Sequence, residues 1–248
     1  MVNRLARLLK EKFASNSKKN LHVRLKKPIY FNRYSDRDVL IVATGPSLKE
    51  YGKRLADYVV TNRDTLITIG VNYLDDLLIP DYHMFTNRKK FCTFVHAVQE
   101  KPIILLAPSI AKKVINSHMK NRYYEEIMFK ELVPSKGQHA IEEGSIKVDE
   151  NGIFYTKGST VATTALGVAI AMGMKNVSFA GLDGFSMYEP DKIHHFKVDD
   201  VIPFERRLTQ EKVTADILDN ANNILAKRGG QIRIITPTVY KKYYDSVI

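Results

Sequence analysis

The feature that most constrains this fold is an alternation of short apolar runs with segments of helical periodicity. Residues 39–43 are apolar throughout, which is typical of a strand buried on both faces of a parallel sheet. Apolar residues then recur at helical spacing from Leu48 to Tyr58. Because parallel neighbours need a crossover connection, the alternation predicts a mostly parallel sheet with helices on both faces.

The pattern extends along most of the chain. Further predicted strands lie at 65–69, 82–86, 103–106, 177–181 and 232–235, and predicted helices lie at 109–119, 160–172 and about 205–228. Two stretches, about 120–157 and 184–205, show little periodicity and predict lid-like insertions. We expect one Rossmann-like α/β domain over residues 31–248, preceded by a leader over residues 1–30.

The composition restricts the class of protein. The chain has 248 residues, enough for one large domain, and contains no apolar run approaching the roughly 20 residues that span a bilayer. Its single cysteine, Cys92, excludes an internal disulfide and argues against a thiolate zinc site. Since no targeting signal is visible, we expect a cytoplasmic protein.

The positive charge is concentrated in the leader. Residues 1–30 hold nine Lys or Arg and one acidic residue, so they carry eight of the eleven net positive charges. Val2, Leu5 and Leu9 would share one face of a helix, and such basic amphipathic helices bind anionic membrane surfaces. A solvated or partner-packed helix is the alternative. No basic patch interleaved with aromatic residues follows, which argues against nucleic-acid binding.

The turn after the first predicted strand has the composition of an anion site. In Thr44-Gly45-Pro46-Ser47, Gly45 permits close approach of the backbone, and Pro46 suits the first position of a helix. Ser47 adds a hydroxyl beside helix amides that lack intrahelical partners, where the helix dipole favours negative charge. We expect this turn to hold a nucleotide phosphate through main-chain amides. A turn without a ligand is the alternative.

Further polar residues follow predicted strands or begin a predicted helix. Asn72 and Asn87 follow the second and third strands, and Asp183 follows a later one. An alanine-rich helix begins with Ser159 and Thr160, a second hydroxyl-rich helix terminus. Since ligands of open α/β sheets bind outside the carboxyl ends of the strands, we expect these side chains to meet at one edge. Turn formation and helix capping are the alternative roles.

Three segments resemble the bacterial sialyltransferases of glycosyltransferase family 42. Residues 39–50 (VLIVATGPSLKE) resemble the opening of that family, residues 160–185 its second conserved block, and residues 232–238 its last strand. The resemblance implies that Asn72 and Asn87 lie near a cytidine nucleotide and its donor sugar. It also implies that the hydroxyl residues opening the second block bind the nucleotide.

The same motifs resemble a broader group as well. Residues 45–48 (GPSL), 80–82 (PDY) and 158–162 (GSTVA) are similar to the 6-hydroxymethylpterin diphosphokinase-like domain and to motility-associated flagellin glycosylation factors. The resemblance therefore implies a fold and a nucleotide site, and leaves the reaction open.

The catalytic residues of the sialyltransferase family have imperfect counterparts. Two tyrosines follow the second block in that family, and this chain has Phe185 and Tyr188 there. No histidine stands before the last long helix, where that family has its base, and the nearest are His194 and His195. A loop histidine can accept a proton from a sugar hydroxyl, and we favour His195 for this role. A histidine pair without a proton role is the alternative.

Together these features predict a glycosyltransferase of surface-glycan biosynthesis. It would transfer a sialic acid-like sugar from a CMP-activated donor to a glycan hydroxyl, without a metal or other cofactor. The alternatives are an ATP-dependent pyrophosphokinase, which would need Mg²⁺ held by carboxylates such as Asp183, and a non-catalytic nucleotide-binding module. The expected partners are a nucleotide-sugar, a glycan acceptor and an anionic membrane surface, and a homo-oligomer stays open.

The leader is expected to place the protein on the inner face of the cell membrane. Deleting residues 1–30 removes the cationic attraction to lipid, so we expect the truncated protein to lose binding to vesicles that contain anionic lipid. Co-sedimentation measures this, and vesicles of neutral lipid are the control. Unchanged binding after the deletion would contradict attachment through the leader.

Overall fold

The computed structural model describes residues 28–35, 37–120, 122–130, 144–156, 160–196 and 202–248. Residues 1–27 and Ser159 lie outside the described residues, as do 131–143 and 197–201 within the two expected insertions. The expectations for the leader and for Ser159 therefore stay predictions.

Within the described residues, seven parallel strands form the main sheet, which confirms the predicted α/β fold class. They are β1 (Asp38–Val42), β2 (Leu66–Val71), β3 (Tyr82–Phe85), β4 (Ile103–Leu106), β5 (Tyr124–Glu126), β9 (Asn176–Ala180) and β10 (Ile232–Ile234). Their order across the sheet is β10-β9-β1-β2-β3-β4-β5. The strand order reverses at β1, which lies between β2 and β9, and open α/β sheets bind ligands at such switch points.

Helices cover both faces of this sheet. On one face lie α1 (Leu48–Thr61), α2 (Arg88–Phe94) and α3 (Lys112–Met119), and on the other lie α4 (Val161–Ala171) and α5 (Phe204–Ala226). Short 3₁₀ turns cover Val95–Ala97, Phe185–Met187 and Lys241–Tyr243. α4 is buried along almost its whole length because it packs between the sheet and α5. None of the helices in the described ranges is both long and apolar enough to cross a membrane.

The stretch at 120–157 is more regular than its sequence indicates. It contains β5, the edge strand of the main sheet, and a small sheet of β6 (Phe129–Lys130), β7 (Ile146–Val148) and β8 (Phe154–Thr156) in the order β6-β8-β7. β5 is a three-residue strand with the sequence YEE, and its place is set by backbone pairing with β4. Since such an edge strand needs no apolar pattern, periodicity could not reveal it.

The domain begins earlier than expected. Tyr30 is fully buried, and its hydroxyl accepts a hydrogen bond of 2.7 Å from the amide of Met128. The Arg33 guanidinium lies 2.9 Å from the carboxylate of Glu125. Residues 28–30 therefore belong to the fold and not to the leader, and the deletion that tests membrane attachment should end at residue 27.

Candidate functional site

A pocket of about 300 Å³ opens at the carboxyl edge of the main sheet, at the switch point. It is lined by residues 43–45 after β1, 71–72 at the end of β2, 86–87 after β3 and 181–185 after β9, together with the start of α4, part of α5 and the loop at 193–194. The structure thus brings most of the predicted site residues to one place. This size lies at the lower end of the range for small-molecule sites.

The turn at 44–47 does not offer its amides to a ligand as predicted. The amide of Ser47 donates a 2.7 Å hydrogen bond to Oδ2 of Asp183, and the Ser47 hydroxyl donates to Oδ1 at 2.6 Å. The next amide, that of Leu48, donates to the carbonyl of Gly45. The predicted main-chain grip on a phosphate at Ser47 is therefore wrong, because a carboxylate of the protein already occupies that helix terminus.

Asp183 is held between β9 and α1 in a buried position. Tyr188 gives its carboxylate a third hydrogen bond, of 3.1 Å to Oδ2. Burial raises the pKa of Asp183, while the hydrogen bonds from Ser47 and Tyr188 lower it. A Cβ at Gly45 would lie 2.4 Å from the Gly181 carbonyl oxygen and 2.5 Å from the Asp183 carboxyl carbon, so only glycine fits in this turn.

The second predicted helix terminus, at the start of α4, is open to the pocket. Thr160 caps α4 in a capping box: its hydroxyl accepts from the amide of Thr163, and its own amide donates to the Thr163 hydroxyl. The amides of Val161 and Ala162 have no acceptor within the described residues, and both residues line the pocket. Of the two helix termini predicted to bind an anion, only that of α4 therefore has amides without an acceptor among the described residues.

Asn72 lines the pocket in a left-handed conformation, with φ of 54°. Its amide donates to the carbonyl of Met84 at 3.1 Å, and its carbonyl accepts from Nε2 of His83 at 2.9 Å. Burial lowers the pKa of His83 to about 4, so this imidazole is neutral and its Nε2–H donates the hydrogen bond to the carbonyl. The Oδ1 atom of Asn72 is buried and has no partner within the described residues, and a bound ligand could supply one.

Asn87 and Phe185 also line the pocket, as the sequence predicts for a site at this edge. The Asn87 side chain caps α2 by accepting a 3.2 Å hydrogen bond from the amide of Lys90. Capping, the alternative role, is thus part of what Asn87 does, and its ligand contact stays a prediction. Pro46 and Ser47, in contrast, do not line the pocket, because their turn faces Asp183.

Several pocket residues escaped the sequence analysis. They are Lys90, the α5 residues Gln210 and Thr214, and Tyr240 near the C-terminus. Oε1 of Gln210 is buried without a partner in the part of the chain that the structure describes. Gln210 looks like an ordinary surface residue of a long helix, and only the packing of α5 over α4 brings it to the sheet edge.

The positions of the two histidines differ from our prediction, which favoured His195 at the site. His194 lines the pocket, with Nδ1 lying 3.0 Å from the hydroxyl of Thr44. His195 is not among the lining residues: Nδ1 donates to the carbonyl of Thr44, the ring stacks on Tyr73, and Nε2 is buried without a partner within the described residues. Burial also lowers the pKa of His195. The structure therefore places His194, and not the favoured His195, at the pocket, and the role of either residue as a base stays a prediction.

Tyr188 is also misplaced for its predicted role near a departing phosphate. It lines a different cavity, formed with residues 186–189, Lys192, Phe204 and Arg207, and its hydroxyl is donated to Asp183. Burial, with the nearby Asp183 carboxylate, raises the pKa of Tyr188. The tyrosine therefore supports the Asp183 carboxylate and is not among the residues that line the pocket at the sheet edge.

The pocket is poor in carboxylates, the side chains that a magnesium ion prefers. Mg²⁺ sites in phosphate-transfer enzymes use one or two carboxylates. Among the described lining residues, Asp183 is the carboxylate, and both of its oxygens already accept hydrogen bonds. No cluster of three or more His, Cys, Asp or Glu that could hold a metal occurs within the described ranges.

Comparisons with known proteins found one family model and a solved structure that are similar to this chain. The model of the family described as "6-hydroxymethylpterin diphosphokinase MptE-like" matches residues 11–186. The structure of the sialyltransferase CstII from Campylobacter jejuni in complex with a substrate analogue, cytidine-5'-monophosphate, is similar with a TM-score of 0.47 and 12% identity, over 85% of this chain and 84% of that one. No curated protein matches this sequence significantly.

We expect the stability of the fold to depend on pH through His83, which donates a hydrogen bond to the carbonyl of Asn72. Its pKa is about 4 in the fold against an ordinary value of 6.5, so the unfolded chain binds the proton first as the pH falls. We expect the free energy of unfolding to decrease between pH 6.5 and 4, by about 3 kcal/mol at most. Urea denaturation at several pH values measures this decrease.

The matched variant is His83→Gln, which retains a side-chain N–H donor for the Asn72 carbonyl but does not titrate. We expect His83→Gln to show a shallower loss of stability with falling pH. His96→Gln, at an exposed histidine, is the control and should keep the slope of the parent protein. Equal slopes for His83→Gln and the parent would contradict the assignment of a neutral buried His83.

Proposed function

We propose that this chain, which belongs to the 6-hydroxymethylpterin diphosphokinase MptE-like family, is a nucleotide-dependent transferase. The ligand of the pocket would be a CMP-activated acidic sugar, and the reaction would transfer that sugar to a hydroxyl of a surface glycan. The basic leader would hold the enzyme near membrane-bound acceptors.

The open terminus of α4 is the observation that carries this proposal. The amides of Val161 and Ala162 have no acceptor within the described residues, and they begin a helix that lines the same pocket as the cation Lys90. These groups suit the phosphate of a nucleotide. The side-chain oxygens of Asn72 and Gln210, which have no partner among the described residues, suit donor groups of a base or a ribose. Such a donor set would stabilise a departing phosphate without a metal ion.

The proposed chemistry assigns a role to each group. The acceptor hydroxyl attacks the anomeric carbon, the bond from this carbon to the phosphate oxygen breaks, and the electron pair stays on the phosphate. His194 takes the hydroxyl proton. Lys90 and the amides of α4 stabilise the charge that develops on CMP, and Asn72 and Asn87 orient the donor.

The description of the family favours a second candidate, pyrophosphoryl transfer from ATP to a pterin. That reaction needs Mg²⁺, for which the hydrogen-bonded Asp183 is a poor ligand. A nucleotide-binding module without catalysis is the third candidate. It is favoured by the positions of Tyr188 and His195, which contact other parts of the protein instead of the pocket.

Nucleotide selectivity separates the three candidates. We expect CMP to raise the melting temperature in the absence of Mg²⁺, and more strongly than CDP, UDP, ATP or GTP. A ligand at 100 times its dissociation constant adds about 2.7 kcal/mol to the stability. Stabilisation by ATP that requires Mg²⁺ would overturn the proposal in favour of pyrophosphoryl transfer. Binding of CMP without turnover of any CMP-sugar would favour the module.

Val161→Pro tests the α4 amides directly. Proline is tolerated at the first position of a helix, and the extended Thr160 (φ −92°, ψ 167°) is compatible with a following proline. The variant removes one N–H donor, so we expect it to weaken CMP binding by about tenfold. Val161→Ala keeps the amide and is the control. Equal affinities of the two variants would contradict phosphate binding at α4.

The proposed base is tested by His194→Asn. Loss of a general base lowers kcat by about 10²- to 10⁴-fold, while the dissociation constant of CMP should stay within about threefold of the parent value. Turnover of CMP-sugar by the purified protein measures the effect. His195→Asn should retain most of the activity, because His195 does not line the pocket. A larger loss in His195→Asn than in His194→Asn would reverse the assignment.

A further inference from the structure

A second cavity lies next to the nucleotide pocket. It has a volume of about 490 Å³ and is lined by residues 186–189 with Lys192, Phe204 and Arg207. The two sites share one segment of chain, since Asp183 and Phe185 line the pocket and the following residues line the cavity. Tyr188 joins them directly, because it lines the cavity and donates its hydroxyl to Asp183. A ligand in this cavity would therefore lie beside the donor.

Arg207 is the unusual member of this cavity. It is only 5% exposed, yet no described carboxylate pairs with it; the ion pairs within the described ranges are Arg33–Glu125, Arg233–Asp245 and Lys242–Asp219. Buried arginines are rare unless they are paired with a negative charge. The unpaired charge of Arg207 is the kind of group that an anionic ligand neutralises.

The partners that Arg207 does have are neutral. Its Nη1 donates to the carbonyls of Phe185 at 3.1 Å and Tyr188 at 3.0 Å, and its guanidinium lies 5.1 Å from the ring centre of Phe204. Nε is buried without a partner among the described residues. These contacts orient the guanidinium and fix the 185–188 turn, and no carboxylate of the described residues forms an ion pair with it.

The surroundings of Arg207 add to its positive potential. Lys192 is a second cation of the cavity, and Glu189 is the one carboxylate among its described lining residues. The N-terminus of α5 lies in the same place, and its cap residue, Pro203, makes no side-chain hydrogen bond to the helix amides. Since a helix N-terminus is itself positive, it raises the cost of an unpaired arginine in the first turn.

We propose that this cavity binds an anionic group, a carboxylate or a phosphate, carried by the molecule that accepts the transferred sugar. Arg207 and Lys192 would pair with the anion. The exposed ring of Phe204 and the side chain of Met187 provide apolar surface of the kind that packs against a sugar ring. The binding of an anion follows from the cavity alone, and the identity of the molecule as the acceptor rests on the proposed function.

The experiment follows the Nε–Hε signal of Arg207 by ¹H–¹⁵N NMR of the full chain. Arg207→Lys removes this signal and so assigns it. Inorganic phosphate and glucuronate are added separately, with sodium chloride at matched ionic strength as the reference. We expect a saturable shift with one or both probes: phosphate alone identifies a phosphorylated ligand, and glucuronate identifies an acidic sugar. No saturable shift with either probe would overturn the proposal.

Lys192→Gln separates an anion site from a purely structural role of Arg207. Lys192 is exposed, so its loss leaves the fold intact, and we expect the dissociation constant of the probe to rise about tenfold. Lys212→Gln, at an exposed lysine of α5 outside the cavity, is the matched control. Equal affinities of the two variants would overturn the proposal. CMP binding is measured on the same samples, so a failure of the proposed function is seen separately.

Discussion

The hydrogen bonds between Asp183 and the start of α1 hold the site of this protein together. They join the loop after β9 to the loop after β1, across the point where the strand order of the sheet reverses. Gly45 makes this junction possible, because a side chain there would clash with Asp183 and the Gly181 carbonyl. The carboxylate supplies the negative charge that the N-terminus of α1 favours, so the junction is compact without a ligand.

This junction determines how a ligand can be held. The amides at the start of α1 already have acceptors within the protein, so the phosphate-binding groups of the proposed site are the terminus of α4 and Lys90. Around them, the pocket presents side chains whose hydrogen-bonding capacity is unfilled, Asn72 and Gln210 among them. Asn72 keeps its left-handed backbone because the neutral imidazole of His83 binds its carbonyl. The groups that the proposed site offers to a ligand are therefore side chains and one helix terminus, which lie at the carboxyl edge of the sheet.

The loop after β9 contributes residues to the pocket and to the neighbouring cavity. Asp183 binds the start of α1, Phe185 lines the pocket at the sheet edge, and Tyr188 lines the neighbouring cavity. Arg207 binds the carbonyls of this loop and so ties it to α5. One short segment therefore lines two neighbouring cavities, an arrangement suited to bringing two substrates side by side.

The sequence by itself determined the parallel sheet and the edge at which the site lies. Runs such as residues 39–43 are apolar on both faces, and polar residues at the ends of parallel strands must meet at one edge. Only the tertiary structure decided which polar group contacts which. Asp183 accepts the hydrogen bond of the Ser47 amide, and His194 rather than His195 lines the pocket. Gln210 and Arg207 come from a helix whose sequence is typical of the protein surface. The physical reason is that these contacts join residues far apart in the chain, while periodicity reports only which face of its own element a residue occupies.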